Sequence, residues 1–285
     1  MTRYAFLLLL FGWLMAAPAQ AAGLKIERQE LPLTETPRQV AYAADGDRIF
    51  VLSSTGKVVV YAAEGRLLGD FFAGDNVTSI AAAPDGDRLF VGRADKPVLE
   101  LIELSFPQEI DITGAPIRGA AEAPVTVTVF SEFQCPYCAS VQSVLDQALT
   151  AFPGKVKLAF KHYPLQRHPL ARPAALATVA AQRQGRFWEL HDLLFSHQQE
   201  LDTDTIRELA IKAELDMTAF DSCLQDPETV RKVNQDHADG VAAGVRGTPT
   251  IFVNGQLLKN RSPAALNDLI TQQLGATGRP PREEK

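Results

Sequence analysis

Cysteine is scarce: Cys135, Cys138 and Cys223 are the only three in a chain of 285 residues. That excludes a small secreted scaffold stapled by disulfides, since such folds carry a dense and usually even-numbered set. Positive charge is not in excess either. Lys and Arg number 28 against 34 Asp and Glu, a formal charge of −6, and the bases are scattered along the chain. Nothing in that balance attracts nucleic acid or an anionic membrane surface. After the first 21 residues no apolar run approaches the roughly 20 residues that a membrane-spanning helix needs. Hydrophobic residues are plentiful, at 46% beside 22% charged, so a packed core is expected. The length allows one large domain or two ordinary ones.

Residues 1–21 read as a secretory signal peptide. Arg3 supplies a short positive start, an apolar run covers Ala5 to Ala17, and Pro18 breaks it before the small-x-small pattern Ala19-Gln20-Ala21. The competing reading is an uncleaved anchor; the cleavage pattern argues for removal near Ala21. The expectation is an exported, periplasmic protein. In an oxidising compartment, two cysteines only two residues apart close too small a loop to staple a fold, so they are better suited to chemistry.

Residues 22–112 read as all-β with an internal repeat. Val40-Ala-Tyr-Ala-Ala-Asp-Gly-Asp-Arg-Ile-Phe-Val-Leu52 returns forty residues later as Ile80-Ala-Ala-Ala-Pro-Asp-Gly-Asp-Arg-Leu-Phe-Val-Gly92, identical at eight of thirteen positions. Asp45-Gly46 and Asp85-Gly86 are hairpin signals between apolar runs. Val58 to Tyr61 and Val98 to Leu101 supply the next strand of each unit. The period and pattern resemble the blades of YVTN-type β-propellers. Only two blade-like units are present, whereas a closed propeller has at least about four. Two arrangements are therefore expected to compete. Several chains pool their blades as a homo-oligomer, or the pair packs on its own chain or as a small sandwich.

Residues 113–123, rich in Gly, Ala and Pro, read as a linker. The strand Val125 to Phe130 follows, then Cys135-Pro136-Tyr137-Cys138, a helix to Ala151, and a strand from Val156 to Phe160. Helical pieces are expected over about 170–243, one starting at a capping box, Thr205-x-x-Glu208, and another at Asp226-Pro227. Asn254-Gly255 is a type I′ hairpin signal, and a last helix begins at Ser262-Pro263. The tail 276–285 is polar and reads as disordered.

A Cys-x-x-Cys on a strand-to-helix turn places the first sulfur at an exposed helix start, where free amides and the helix dipole favour a thiolate. Cys138 lies behind it, able to resolve a mixed disulfide, and Pro136 suits the first turn. The alternative is half a zinc site, but no second pair is present and the five histidines show no ligand spacing. Cys223 reads as a small buried hydrophobe, with a third redox thiol as the sharper alternative. His162 and His168 read as positioned polar residues rather than catalysts.

Phe130-Ser-Glu-Phe-Gln-Cys-Pro-Tyr-Cys138, Lys161-His-Tyr-Pro-Leu-Gln-Arg-His-Pro-Leu170 and Gly244-Val-Arg-Gly-Thr-Pro-Thr-Ile-Phe-Val-Asn-Gly255 resemble the DsbA-like branch of the thioredoxin superfamily over about 124–275. The resemblance implies an α/β thioredoxin-like fold with a helical insertion, here preceded by the all-β repeats. It implies that Pro249 is cis and lies against the cysteines, and that the Thr248 backbone pairs with a bound peptide, with Pro136 and Tyr137 bordering it. The activity implied is thiol–disulfide exchange between Cys135–Cys138 and exported client proteins, recharged by a membrane redox partner, with no metal or organic cofactor. Two residues depart from the family's strong oxidants: Tyr137 stands where they carry His, and Val129 where an acid is common, leaving Glu132 as the nearest acid. The direction of electron flow stays open between an oxidase and a reductase or isomerase. A non-catalytic β-repeat binding protein is the remaining alternative.

Overall fold

The computed structural model describes residues 28–44 and 47–277. The signal-peptide reading, the Asp45-Gly46 turn and most of the polar tail lie outside them.

The β-branched and aromatic runs of the N-terminal half form two antiparallel sheets. The first is β1 (Pro37–Ala43), β2 (Arg48–Ser53), β3 (Lys57–Ala62) and β4 (Leu67–Phe72), in that spatial order. The second is β5 (Val77–Ala82), β6 (Arg88–Arg93) and β7 (Leu99–Glu103). Each unit of the repeat is thus one small sheet. At the second Asp-Gly turn, Gly86 takes a φ of +71° and its N–H bonds Ala83 O at 2.9 Å. No propeller closes among the described residues. Instead the two sheets share one core, with Phe50, Leu52, Val58 and Val60 of the first packing with Val77, Ile80, Leu89 and Val91 of the second.

The seam between the sheets is made by side chains. The Gln39 carboxamide on β1 donates to Ile80 O (2.7 Å) and accepts from Ile80 N (2.9 Å) on β5. Arg38 donates to Val77 O at 2.7 Å. Arg48 pairs with Asp87 at 2.8 Å and lies 4.0 Å over the Phe106 ring.

The C-terminal half is a five-stranded sheet in the order β12-β11-β9-β10-β8. Its strands are β8 (Ile117–Gly119), β9 (Val125–Ser131), β10 (Val156–His162), β11 (Thr250–Val253) and β12 (Gln256–Leu257). β9 and β10 run parallel, joined by α1 (Pro136–Ala151), and β11 is antiparallel to β9. Val125, Val127 and Val129 are buried, as a central strand covered on both sides demands. Between β10 and β11 come α2 (Ala171–Arg183), α3 (Phe187–Ser196), α4 (Thr203–Lys212), α5 (Met217–Gln225) and α6 (Pro227–Ala242). α7 (Pro263–Thr277) closes the chain. One core runs from the sheet through α1 and α7 into the insertion, and Cys223 is buried in it, 3.1 Å from the Thr229 hydroxyl. At the hairpin tip Asn254 and Gly255 both have positive φ, +46° and +78°.

Three details differ from the sequence reading. Residues 113–123 are not a free linker, because Ile117–Gly119 is the edge strand β8, antiparallel to β10. A three-residue strand bonded on one side is too short to show a period. The upstream chain is also tied down: Gln108 N donates to Gly255 O (2.8 Å), and Ile110 packs on Phe130, Tyr163, Val245 and Phe252. A Cβ on Gly255 would meet Gln108 O at 2.1 Å, so this joint depends on glycine. α4 is capped by Asp202, which accepts from Thr205 N at 2.7 Å, so Thr205 is the third helical residue and not the cap. The helix also carries on through 276–277, which the tail reading had taken as unfolded.

Candidate active site at the cysteine pair

α1 begins with Pro136 at its first position and Cys135 as the residue before it, in extended conformation. The missing Pro N–H costs nothing there, and the amides that follow point back at Cys135. Cys138 N and Ala139 N donate to Cys135 O at 3.0 and 3.2 Å. All three cysteines are free thiols.

The Thr248–Pro249 peptide is cis and brings Thr248 O to 3.6 Å from Cys135 Sγ. From the insertion, Gln198 Nε2 donates to Cys135 O at 2.6 Å. Cys135 is therefore buried, 1% exposed, rather than at the open helix start expected from spacing. Thr248 and Gln198, 113 and 63 residues away in sequence, supply the cover. Tyr137, by contrast, is 69% exposed.

The two sulfurs differ in acidity. A hydrogen bond from the Cys138 thiol draws the Cys135 pKa down from 9.0 to about 5. Burial opposes that fall, while Thr248 and the amides of Cys138 and Tyr137 assist it. Burial and then the adjacent Cys135 push Cys138 in the opposite direction, above the ordinary thiol range. The buried hydroxyls of Ser131 and Thr248 make no hydrogen bond. The pair can thus hold one proton and one negative charge, a nucleophile in front and a protonated thiol behind.

Glu132 is fully buried, pairs with His168 Nδ1 and accepts from Gln134 N at 2.7 Å. Burial raises its pKa in spite of those contacts. His168 therefore does have a partner at the site. His162 lies deeper, with both ring nitrogens unpartnered and its pKa lowered to about 4 by burial, so it is a neutral core residue. Its neighbour Lys161 is equally buried and bonds Asp236 at 2.8 Å and Asp239 at 2.6 Å. Burial works against its charge, but those two carboxylates hold its pKa above the ordinary value. Among the described residues, no three His, Cys, Asp or Glu side chains converge as metal ligands.

Gln198, Ser131 and the Glu132–His168 pairing were not identified from sequence. Glu132 carried a signal as the acid nearest Cys135, and His168 as a positioned polar residue; their pairing, Gln198 and Ser131 reach the site through the fold.

The sequence model of a family described as thioredoxin matches residues 112–272, more than half the chain and all of this site. The chain belongs to the thioredoxin family. As a thioredoxin-family member it is similar to the oxidised BdbD of Bacillus subtilis, at 25% identity and a TM-score of 0.54, over 60% of this chain and 98% of that one. It shares the fold of α-DsbA1 from Wolbachia pipientis, at 17% identity and a TM-score of 0.53, over 59% and 94% of the two chains. Among curated proteins it is 35% identical over 187 residues to the Na(+)/H(+) antiporter NhaA 1 of Salinispora arenicola, covering 65% of this chain. The chain spans only 28% of that antiporter's length. No described helix is long and apolar enough to cross a membrane.

Proposed function

We propose that this thioredoxin-family protein is an exported thiol–disulfide oxidoreductase acting on client proteins through Cys135 and Cys138. The observation that carries the reading is the split acidity of the pair, with Cys135 at about 5 and Cys138 displaced upward, beneath the cis Thr248–Pro249 peptide. In the oxidising direction a client thiolate attacks Cys135 Sγ, the Cys135–Cys138 bond breaks, and Cys138 leaves as a thiolate and takes a proton. A second client thiolate then attacks the client sulfur of the mixed disulfide. That forms the client disulfide and releases Cys135 as a thiolate, which is a good leaving group because its pKa is low. Two electrons pass from client to protein, and a membrane redox partner would take them on.

The oxidising direction is favoured because stabilising the Cys135 thiolate stabilises the reduced form. A reductase would run the same steps backwards, and an isomerase would attack a client disulfide and be released by another client thiol with no net electron transfer. Export rests on the pattern in residues 1–21. Thr248 supplies the backbone edge for the client peptide, and Pro249, Pro136 and Tyr137 flank it.

The test is trapping. Cys138→Ala should accumulate mixed disulfides with exported proteins, since the resolving thiol is gone, and Cys135→Ala should accumulate none. Equal trapping by both variants refutes the assignment of roles.

A further inference from the structure

Resting on that function, we propose that the groove beside Thr248–Pro249 selects clients with carboxylate side chains close to the reacting cysteine. The groove encloses about 510 Å³ and is bordered by Tyr137, Arg167, Arg246, Thr248, Pro249 and Arg261, with no Asp or Glu among its lining residues. Its three guanidinium groups come from separate segments: the loop after β10, the loop before the cis peptide, and the turn before α7. Arg261 is held in place, since its Nη1 donates to Pro249 O at 2.8 Å.

Most of the other described arginines are ion-paired; of those that are not, Arg38 and Arg172 bond Val77 O and the Asn234 side chain instead. Elsewhere Arg48, Arg118, Arg183 and Arg207 each sit within ion-pair distance of an Asp. Among the described residues, Arg167, Arg246 and Arg261 have no carboxylate partner. In a chain of net charge −6, three unpaired cations at one groove are a local reversal of the protein's overall field. A guanidinium presents a planar fork matched to a carboxylate, so the partner that fits is an acidic peptide.

The geometry also gives spacing. A client strand lying along Thr248 places its cysteine near Cys135 Sγ, and side chains two residues away fall on the same side, about 7 Å along. An acid two residues from the client cysteine therefore lies on the same face as that cysteine, beside the groove the arginines border, and is the favoured pattern.

The experiment uses the oxidised full chain and a set of peptides that differ only two residues from a single cysteine, with Asp, Asn or Lys there. Reduction of the Cys135–Cys138 disulfide by excess peptide, which leaves as a peptide dimer, is timed by stopped flow, because Cys138 expels a single peptide before its mixed disulfide accumulates. Rates are compared per thiolate, because a neighbouring carboxylate raises the peptide's own thiol pKa. The Asp peptide should react about fivefold faster than the Asn peptide, and the Lys peptide slower than both. The spread should shrink as salt rises. In the double variant Arg246→Glu with Arg261→Glu the order should invert. Equal rates for the three peptides in the wild type, or an order unchanged by the charge reversal, overturn the preference alone. No reduction of the disulfide by any peptide overturns the proposed function itself, and the preference with it.

Discussion

A thiol at about 5 in front of one displaced upward makes the pH dependence of the redox potential a sharp test. Reducing the disulfide adds two electrons and as many protons as the reduced pair binds. Below about pH 5 both sulfurs are protonated, two protons enter, and the potential falls by about 59 mV per pH unit. Above about 5 Cys135 stays a thiolate while Cys138 keeps its proton, so one proton enters and the slope halves to about 30 mV per unit. The break marks the Cys135 pKa. The sign follows from linkage: a depressed pKa stabilises the reduced fold above the free-thiol value, and that stabilisation is lost as pH falls through about 5. The assay is equilibration in dithiol buffers of known potential, with the reduced fraction read as the mass added on alkylation, from about pH 4 to about pH 8. A slope of about 59 mV sustained to about pH 8 would mean that Cys135 is an ordinary thiol, and the split-acidity argument would fail.

Three further outcomes are expected. Tyr137→His adds a cation beside the Cys135 thiolate and should raise the potential by about 30 mV, for about one unit of further pKa depression; an unchanged or lower potential counts against electrostatic control at this position. Lys161→Met leaves Asp236 buried with Lys232 as its remaining ion-pair partner at 2.7 Å. It should cost about 3 kcal/mol by urea unfolding at neutral pH, and a loss under about 1 kcal/mol would show the network is not structural. A chain beginning at Ala120 loses β8 and the contacts of Ile110, and should melt about 6–12 °C below one beginning at Ser105; equal melting would return residues 113–123 to the status of a linker.

The parts of this molecule visible in its sequence are those written in adjacent residues. Cys-Pro-Tyr-Cys on a strand-to-helix turn, Asn-Gly at the last hairpin and Asp-Pro at the start of α6 each act within one turn of chain. The repeat was also legible, since a copied strand–turn–strand folds as a copied sheet. What escaped depends on sequence separation. His168 meets Glu132 across 36 residues, and Gln198 meets Cys135 across 63. The arginines of the groove look scattered because Arg167, Arg246 and Arg261 converge only after β9, β10 and β11 assemble. The burial of Cys135 was missed for the same reason: spacing locates a helix start but not what folds over it. β8 escaped through brevity, its ladder to β10 running only from Ile117 to Gly119.

The Gln39 carboxamide acts on Ile80 as a neighbouring peptide group would, offering one donor and one acceptor. The inward edges of the two small sheets are thereby occupied without a backbone ladder, which leaves β4 and β7 as the outward ones. Those carry Asp70 on β4, and Glu100 and Glu103 on β7. Charged residues on an open edge discourage the addition of a foreign strand. The two copies of the repeat thus meet edge to edge through side chains and share a core, without either sheet continuing into the other. The carboxamide is in effect a stopper, ending each small sheet where it meets its copy.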